Sequence, residues 1–287
     1  MNEIEKLKDY LNIKRPIPAS VLEKIYDNVK TEYIYNSNAI EGNSLTLKET
    51  EVVLEYGITV KGKPLKDHIE AKNQAYALDF LKEEVKLKKE IDKKLIKEFH
   101  QIIIGDIDRE IAGKFRTYPV TIKASETKTS SPLHIEEELD KLIKWYNSEK
   151  NLSTIEKVAI FHSKFEKIHP FGDGNGRTGR LLMNFELMKE GYPITIIKNE
   201  DRLEYYNSLE KAQTKEDYKD IIKFVYNNVE KSIIKNLEML EENWKEKFNN
   251  KEKVQIKDLE KKTEEKVIKR NPWAKTKENE KDKGNER

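Results

Sequence analysis

Apolar residues recur every three or four positions through most of this chain, the spacing that gathers them on one face of a helix. In STIEKVAIFHSKFEKI, residues 153–168, the face is Ile155, Val158, Ala159, His162, Phe165 and Ile168, and Ser153 with Glu156 supplies a capping box at its start. The helix has to stop at His169, because Pro170 disfavours helical geometry in the residue before it. The pattern resumes through Leu181, Leu182, Phe185 and Met188, which predicts a second helix from near Arg177. TLKETEVVLEYG predicts a helix capped by Thr46 and Glu49 and ended at Gly57. TEYIYNSNAIEG predicts another that closes at Gly42, and NEDRLEYYNSLEKAQ a third. The longest stripe, through Ile221, Ile222, Val225, Val229, Ile233, Leu237, Leu240, Trp244 and Phe248, predicts one continuous helix.

One stretch departs from the helical period. In AGKFRTYPVTIKAS, residues 112–125, Val120 and Ile122 alternate with polar neighbours beyond Pro119, which predicts a short strand and, with ETKTSSP, a small β-hairpin. The expected fold is therefore all-α, a helical bundle with that hairpin attached. Three regions are expected: a helical 1–95, a core over 96–235, and a C-terminal helix extension with a charged tail over 236–287.

Composition narrows the function classes. The 287 residues are 36% hydrophobic and 38% charged, enough for one sizeable core. A net charge of +2 conceals an uneven distribution: from Lys251 onward there are 13 Lys and Arg against 9 Asp and Glu, a charge of +4, which leaves −2 for residues 1–250. That body lacks the basic surplus of a duplex-binding protein, so no nucleic-acid partner is expected. The tail is expected to be a solvated charge run, with Trp273 beside Pro272 its one docking candidate. Cysteine is absent, no apolar run approaches the roughly twenty residues of a membrane span, and MNEIEKLKDY has no hydrophobic leader. The expectation is a cytoplasmic protein without membrane contact.

The chemistry is concentrated in HPFGDGNGRTGR, His169 to Arg180. A turn that opens onto a helix N-terminus offers unpaired N–H groups and a partial positive charge, both suited to an anion. Gly172, Gly174 and Gly176 let the backbone approach phosphate oxygens. Arg177 and Arg180, three apart, share a face beside that nest and can fork onto phosphate. Asp173 would repel a phosphate directly, so it suits a magnesium ion that bridges the phosphates. His169 is the one group in the motif that both takes and gives a proton near neutrality.

This segment resembles the Fic family signature HPFx(D/E)GNGRxxR at every fixed position. The resemblance implies a Fic fold and transfer of AMP from ATP to a Ser, Thr or Tyr hydroxyl of a target protein. It implies His169 as general base, Asp173 on Mg2+, and a cradle of Gly174, Asn175, Gly176 and Arg177 continuing through Thr178, Gly179 and Arg180. Arg180 is implied as the γ-phosphate contact, and Phe171 as a core anchor. Doc-type relatives, which phosphorylate, carry lysine where this chain has Gly176, so adenylyl transfer is favoured. Upstream, SNAIEG resembles the family's inhibitory pattern (S/T)xxxE(G/N) through Ser37, Glu41 and Gly42. That implies an autoinhibited enzyme in which Glu41 pairs with Arg180, and the same glutamate is associated with removal of AMP in some relatives.

Further positions follow from the resemblance. Val120, Thr121, Ile122 and Lys123 are similar to the family's flap, along which an extended piece of the target adds a strand. Tyr205 and Tyr206 correspond in spacing to aromatics near the nucleotide. Gln213 stands where many relatives have asparagine against the adenine, which leaves the base preference open. Self-modification and a homodimer are admitted by the resemblance. Two other readings stay open: a transferase on the same scaffold using UTP or GTP or moving phosphocholine, and a non-catalytic ATP-binding regulator.

Overall fold

Thr46, Asp92 and Ser153 each start a helix with a side-chain cap. A computed structural model describes residues 3–14 and 17–251. In chain order the helices are α1 (Glu3–Ile13), α2 (Ala19–Ala39), α3 (Leu47–Tyr56), α4 (Leu65–Lys86), α5 (Lys93–Ile104), α6 (Ile135–Ser148), α7 (Thr154–Ile168), α8 (Asn175–Lys189), α9 (Arg202–Lys215) and α10 (Lys219–Leu240). Short 3-10 turns lie at Pro132–His134 and Asn199–Asp201. Both predicted capping boxes are present, Thr46 with Glu49 on α3 and Ser153 with Glu156 on α7. Gly57 closes α3 in the left-handed conformation at φ 66°.

Contacts divide the chain into one unit over 1–236 and another from 237 onward. The first is organised around α8. Leu181, Leu182, Met183, Phe185 and Leu187 are all buried, so α8 is apolar on most of its circumference and is covered by neighbours rather than by water. Those neighbours are α7, α4 and α5, with α2 against its start. Outside them, α6 and α9 pack on α7, and α3 bridges α2 and α4. Asn184 in the middle of α8 is buried and fully used: its amide donates to Arg180 O and Thr195 O and its oxygen accepts from Thr195 N, which ties down the extended stretch 192–198.

Three expectations are corrected. α8 begins at Asn175 rather than near Arg177, because Gly174 turns the chain in the left-handed region at φ 76° and the helix follows at once. The long C-terminal stripe is not one helix. α10 ends at Leu240, and helical residues resume at Trp244, where the Trp244 and Phe248 rings lie tilted at 6.4 Å. Glu238, Glu241 and Glu242 crowd the negative end of α10, which has no basic residue in its last turn to oppose them.

The hairpin is the third. No strand occurs among the described residues, and 112–132 is an irregular loop. Pro119 offers no donor, and the two arms are joined by the Thr129 hydroxyl, which donates to Val120 O at 2.6 Å, instead of a ladder. The tail beyond 251, including Trp273, lies outside the described residues. No helix among those described is long and apolar enough to cross a membrane.

Candidate active site

His169 sits at the junction between α7 and α8, and its backbone is what turns the chain. It adopts the left-handed region at φ 51° and ψ 59°, uncommon for a residue with a side chain, and caps α7 through its N–H to Phe165 O. Its ring nitrogen Nδ1 lies 3.1 Å from Glu166 O, so Nδ1 carries the proton and donates while Nε2 is left as the basic nitrogen. Burial lowers the imidazole pKa from its ordinary value; the bond to the Glu166 carbonyl opposes this, and the Arg116 guanidinium adds to the lowering.

The turn after His169 is stapled from within. Asn175 accepts from Phe171 N and donates to Phe171 O, both at 2.9 Å. Phe171 is fully buried, its ring parallel to His100 at 3.7 Å and tilted against Phe115 at 5.4 Å. Gly174 caps α8 without any side-chain bond to the first-turn amides, and the first intrahelical bond there is Thr178 N to Gly174 O. The N–H groups of Asn175, Gly176 and Arg177 therefore point out of the helix end toward any bound anion.

Glu41 already stands at that place. Its carboxylate occupies the space a Cβ on Gly176 would need, and its Oε1 accepts from Arg180 Nη2 at 2.8 Å. Ser37 holds the same guanidinium, accepting from Nε at its hydroxyl (3.1 Å) and from Nη2 at its carbonyl (2.8 Å). Gly42 follows at φ 97°, letting the chain leave α2 immediately after Glu41. Arg180 is 2% exposed, yet its Nη1 has no partner and lies 3.0 Å from the same Cβ position of Gly176. Burial works against that guanidinium, and Glu41 together with the Tyr205 and Tyr33 hydroxyls outweighs it, so its pKa is raised. Arg177 is equally buried, pairing with Glu70 at 2.9 Å and Asp173 at 3.4 Å, with its Nε unpartnered. Two buried arginines with donors to spare fit a polyanion.

Asp173 is half-exposed, accepts from Gly174 N at 2.6 Å, and faces Lys66 at 3.9 Å. A single accessible carboxylate beside an anion cradle fits magnesium, which takes one or two carboxylates and completes its shell with phosphate oxygens and water. Among the described residues there is no cluster of three metal-ligating side chains.

Not every residue expected here arrives. The Thr178 hydroxyl and amide are both spent on Gly174 O, and Gly179 faces α7, where a Cβ would collide with Glu166 and approach His162 to 3.0 Å. These two residues turn away from the cradle because they lie on the buried side of α8. Tyr205 is in the core, its hydroxyl 2.6 Å from His162 Nε2 and its ring against Phe224; Tyr206 is half-exposed and donates to Ile40 O at 3.1 Å, next to Glu41. The Gln213 amide is engaged on both sides, donating to Ser163 O and accepting from Thr127 Oγ1. Val120 to Lys123 lie at the surface of the 112–132 loop. Apart from the Val120 and Ile122 carbonyls, their main chain makes no hydrogen bond among the described residues.

Three supporting residues were not foreseen. Arg116, 4% exposed, donates to the carbonyls of His169 (2.8 Å), Ile168 (3.3 Å), Tyr118 (2.8 Å) and Ser130 (2.6 Å), while its own N–H reaches Pro170 O. It holds the 112–132 loop to the turn that carries His169. Glu166 is buried with an unpartnered Oε1, and burial pushes its carboxyl up to about 8. His100 joins α5 to Asp173. A histidine on the apolar face of α5 was the one visible signal; nothing local marks Arg116 or Glu166.

This arrangement of a histidine at a left-handed helix junction, a glycine turn and an arginine-lined helix N-terminus defines the Fic architecture. The Fic/DOC family pattern matches residues 90–187. The chain superimposes on C. elegans Fic-1 (residues 134–508) with a TM-score of 0.72 at 33% identity, over 83% of this chain and 71% of that one. A Fic-domain signaling protein from Bacteroides thetaiotaomicron gives a TM-score of 0.77 at 29% identity, over 83% and 96%. The chain belongs to the Fic/DOC family. In sequence it is 38% identical over 205 residues to protein adenylyltransferase fic-1 of C. elegans, and 35% identical over 216 residues to protein adenylyltransferase Fic of Drosophila virilis. Those matches take in 70% and 75% of this chain but 40% and 44% of the relatives, so the chain spans less than half their length.

Proposed function

We propose that this chain is a protein adenylyltransferase that its own Glu41 holds inactive. The observation that carries the reading is an acid from the end of α2 lying in the anion cradle of α8, bonded to Arg180 at 2.8 Å. A cradle that a carboxylate can fill is one a phosphate can fill, and the buried, unpartnered Nη1 of Arg180 is a donor awaiting it.

ATP binds with its phosphates on the N–H groups of Asn175, Gly176 and Arg177, its γ-phosphate taking the place of the Glu41 carboxylate beside Arg180. Asp173 holds Mg2+, which neutralises phosphate charge when bound. His169 Nε2 takes the proton of a Ser, Thr or Tyr hydroxyl. The hydroxyl oxygen forms a bond to the α-phosphorus, the bond to the β-phosphate bridging oxygen breaks, and pyrophosphate leaves. The target lies along Val120, Thr121, Ile122 and Lys123, whose largely unpaired main chain suits an added strand. The chain itself is one available target. Tyr206, half-exposed and bonded to the carbonyl of the residue before Glu41, is the aromatic best placed beside the nucleotide.

The test is labelling from α-labelled ATP with Mg2+. Glu41→Gly is expected to raise labelling by about 10- to 100-fold, equivalent to roughly 1.4–2.7 kcal/mol of barrier. His169→Ala in that background is expected to abolish it. An intact, ATP-binding Glu41→Gly protein that forms no covalent product would sink the reading in favour of a nucleotide-binding regulator. Competition by unlabelled UTP and GTP separates the alternative nucleotides.

A further inference from the structure

We propose that His100 is a positioning residue that orients the Asp173–Gly174 peptide, from which α8 and its cradle amides begin. This rests on the adenylyl-transfer reading above. His100 is fully buried on α5 and acts through the backbone groups it bonds.

Both ring nitrogens meet backbone. Gly113 N–H donates to Nδ1 at 2.9 Å, so Nδ1 is the acceptor, Nε2 carries the hydrogen, and Nε2 donates to Asp173 O at 2.9 Å. The ring plane is set by Phe171, parallel at 1° and 3.7 Å. In a planar trans peptide the C=O and the following N–H point opposite ways. Drawing Asp173 O back onto α5 therefore turns Gly174 N–H outward. Asp173 Oδ1 accepts that outward N–H at 2.6 Å, so the same peptide also fixes the Asp173 carboxylate at the mouth of the cradle.

Gly174 supports the same orientation. At φ 76° a Cβ on it would lie 2.9 Å from Ile104 Cδ1 and 3.5 Å from His100 Cδ2, so the turn is pressed directly onto α5. Through Gly113 the same imidazole also anchors the beginning of the 112–132 loop. One side chain thus sets the nucleotide-side turn and the target-side loop against each other. Cradle amides fixed before the reaction are worth most where charge develops, so losing the peptide that orients them should fall on kcat more than on KM.

The experiment compares His100→Gln, His100→Asn and His100→Ala in the Glu41→Gly background, by steady-state labelling and by ADP titration calorimetry. Glutamine can place its amide donor on Asp173 O; asparagine can replace only the acceptor to Gly113. Expected are a fall in kcat of about 10-fold or more for His100→Ala and His100→Asn with KM changed less than about threefold, and recovery of most of the loss in His100→Gln. ADP affinity should fall in the same order, by less than about threefold. If His100→Ala fails to fold, the Gln and Asn pair decides alone. Equal kcat and equal ADP affinity for Gln and Asn, or an asparagine variant better than the glutamine one, overturns the proposal. A Glu41→Gly parent that does not label at all refutes the adenylyl-transfer reading instead, and the ADP affinities then still judge His100.

Discussion

His169 is held as a neutral base by its surroundings rather than by any partner of opposite charge. Burial and the Arg116 guanidinium lower its pKa, so the unprotonated ring persists to lower pH than in a free imidazole. For the Glu41→Gly enzyme, kcat/KM is expected to fall on acidification with its midpoint below pH 6.5, as protonation removes the base. An acid limb centred above 6.5 in the pH profile would contradict this assignment. Much at this scale was legible in the sequence, because HPFGDGNGRTGR places its groups within three helical turns and local geometry alone brings them together. Thr178 and Gly179 were the exception: Thr178 is buried with its hydroxyl and amide on Gly174 O, Gly179 faces α7, and only tertiary packing decides which side of a buried helix looks at the ligand.

Helix α7 is the lever that carries His169, and its start is fixed by the Ser153 and Glu156 capping box. Ser153→Ala removes one bond to an amide that has no intrahelical partner, and is expected to cost about 1 kcal/mol, a fall in Tm of roughly 2–4 °C in thermal denaturation. Labelling by the Glu41→Gly protein should be unaffected, since the cap lies at the far end of α7 from His169. At the other junction, Gly174→Ala combines a left-handed φ with a 2.9 Å approach to Ile104. It is expected to cost at least 1–2 kcal/mol in denaturant unfolding and to abolish labelling. Capping boxes and helix stops were readable because they are made within four residues. The missing strand at 120–123 was not, since alternation of Val120 and Ile122 describes two faces of an extended chain without saying whether a neighbour pairs with it.

Over the whole molecule, buried titratable groups at the centre of the helix packing make stability depend on pH in two directions. Burial lowers His162 to about 3 and His100 to about 4, so below 6.5 the unfolded chain takes up protons that the folded one refuses, and stability falls on acidification. Glu166 is the reverse case. Burial raises it to about 8, so from 4.5 upward the folded state keeps a proton that the unfolded state has released, and its contribution is lost as pH rises to 8. The contributions of these groups place the stability maximum near pH 6.5, with a decline of roughly 1.4 kcal/mol per pH unit above it. Glu166→Gln is expected to flatten that alkaline decline in urea titrations at pH 6.5 and 8. An unchanged slope would show that Glu166 is not held protonated in the folded protein.

The sequence by itself determined what depends on neighbours in the chain: where α3 and α7 start and stop, that a glycine turn opens onto a helix N-terminus, and that a histidine, a carboxylate and two arginines surround it. Only the tertiary structure decided what depends on distant segments meeting. Glu41 lies 139 residues from Arg180, Glu70 lies 107 from Arg177, and Arg116 and His100 reach back to the turn over 53 and 73. Those contacts follow from how α2, α4 and α5 pack around α8. A charge pattern along a chain carries no record of such packing, because each of these side chains is locally an ordinary polar residue until burial leaves it one partner to find.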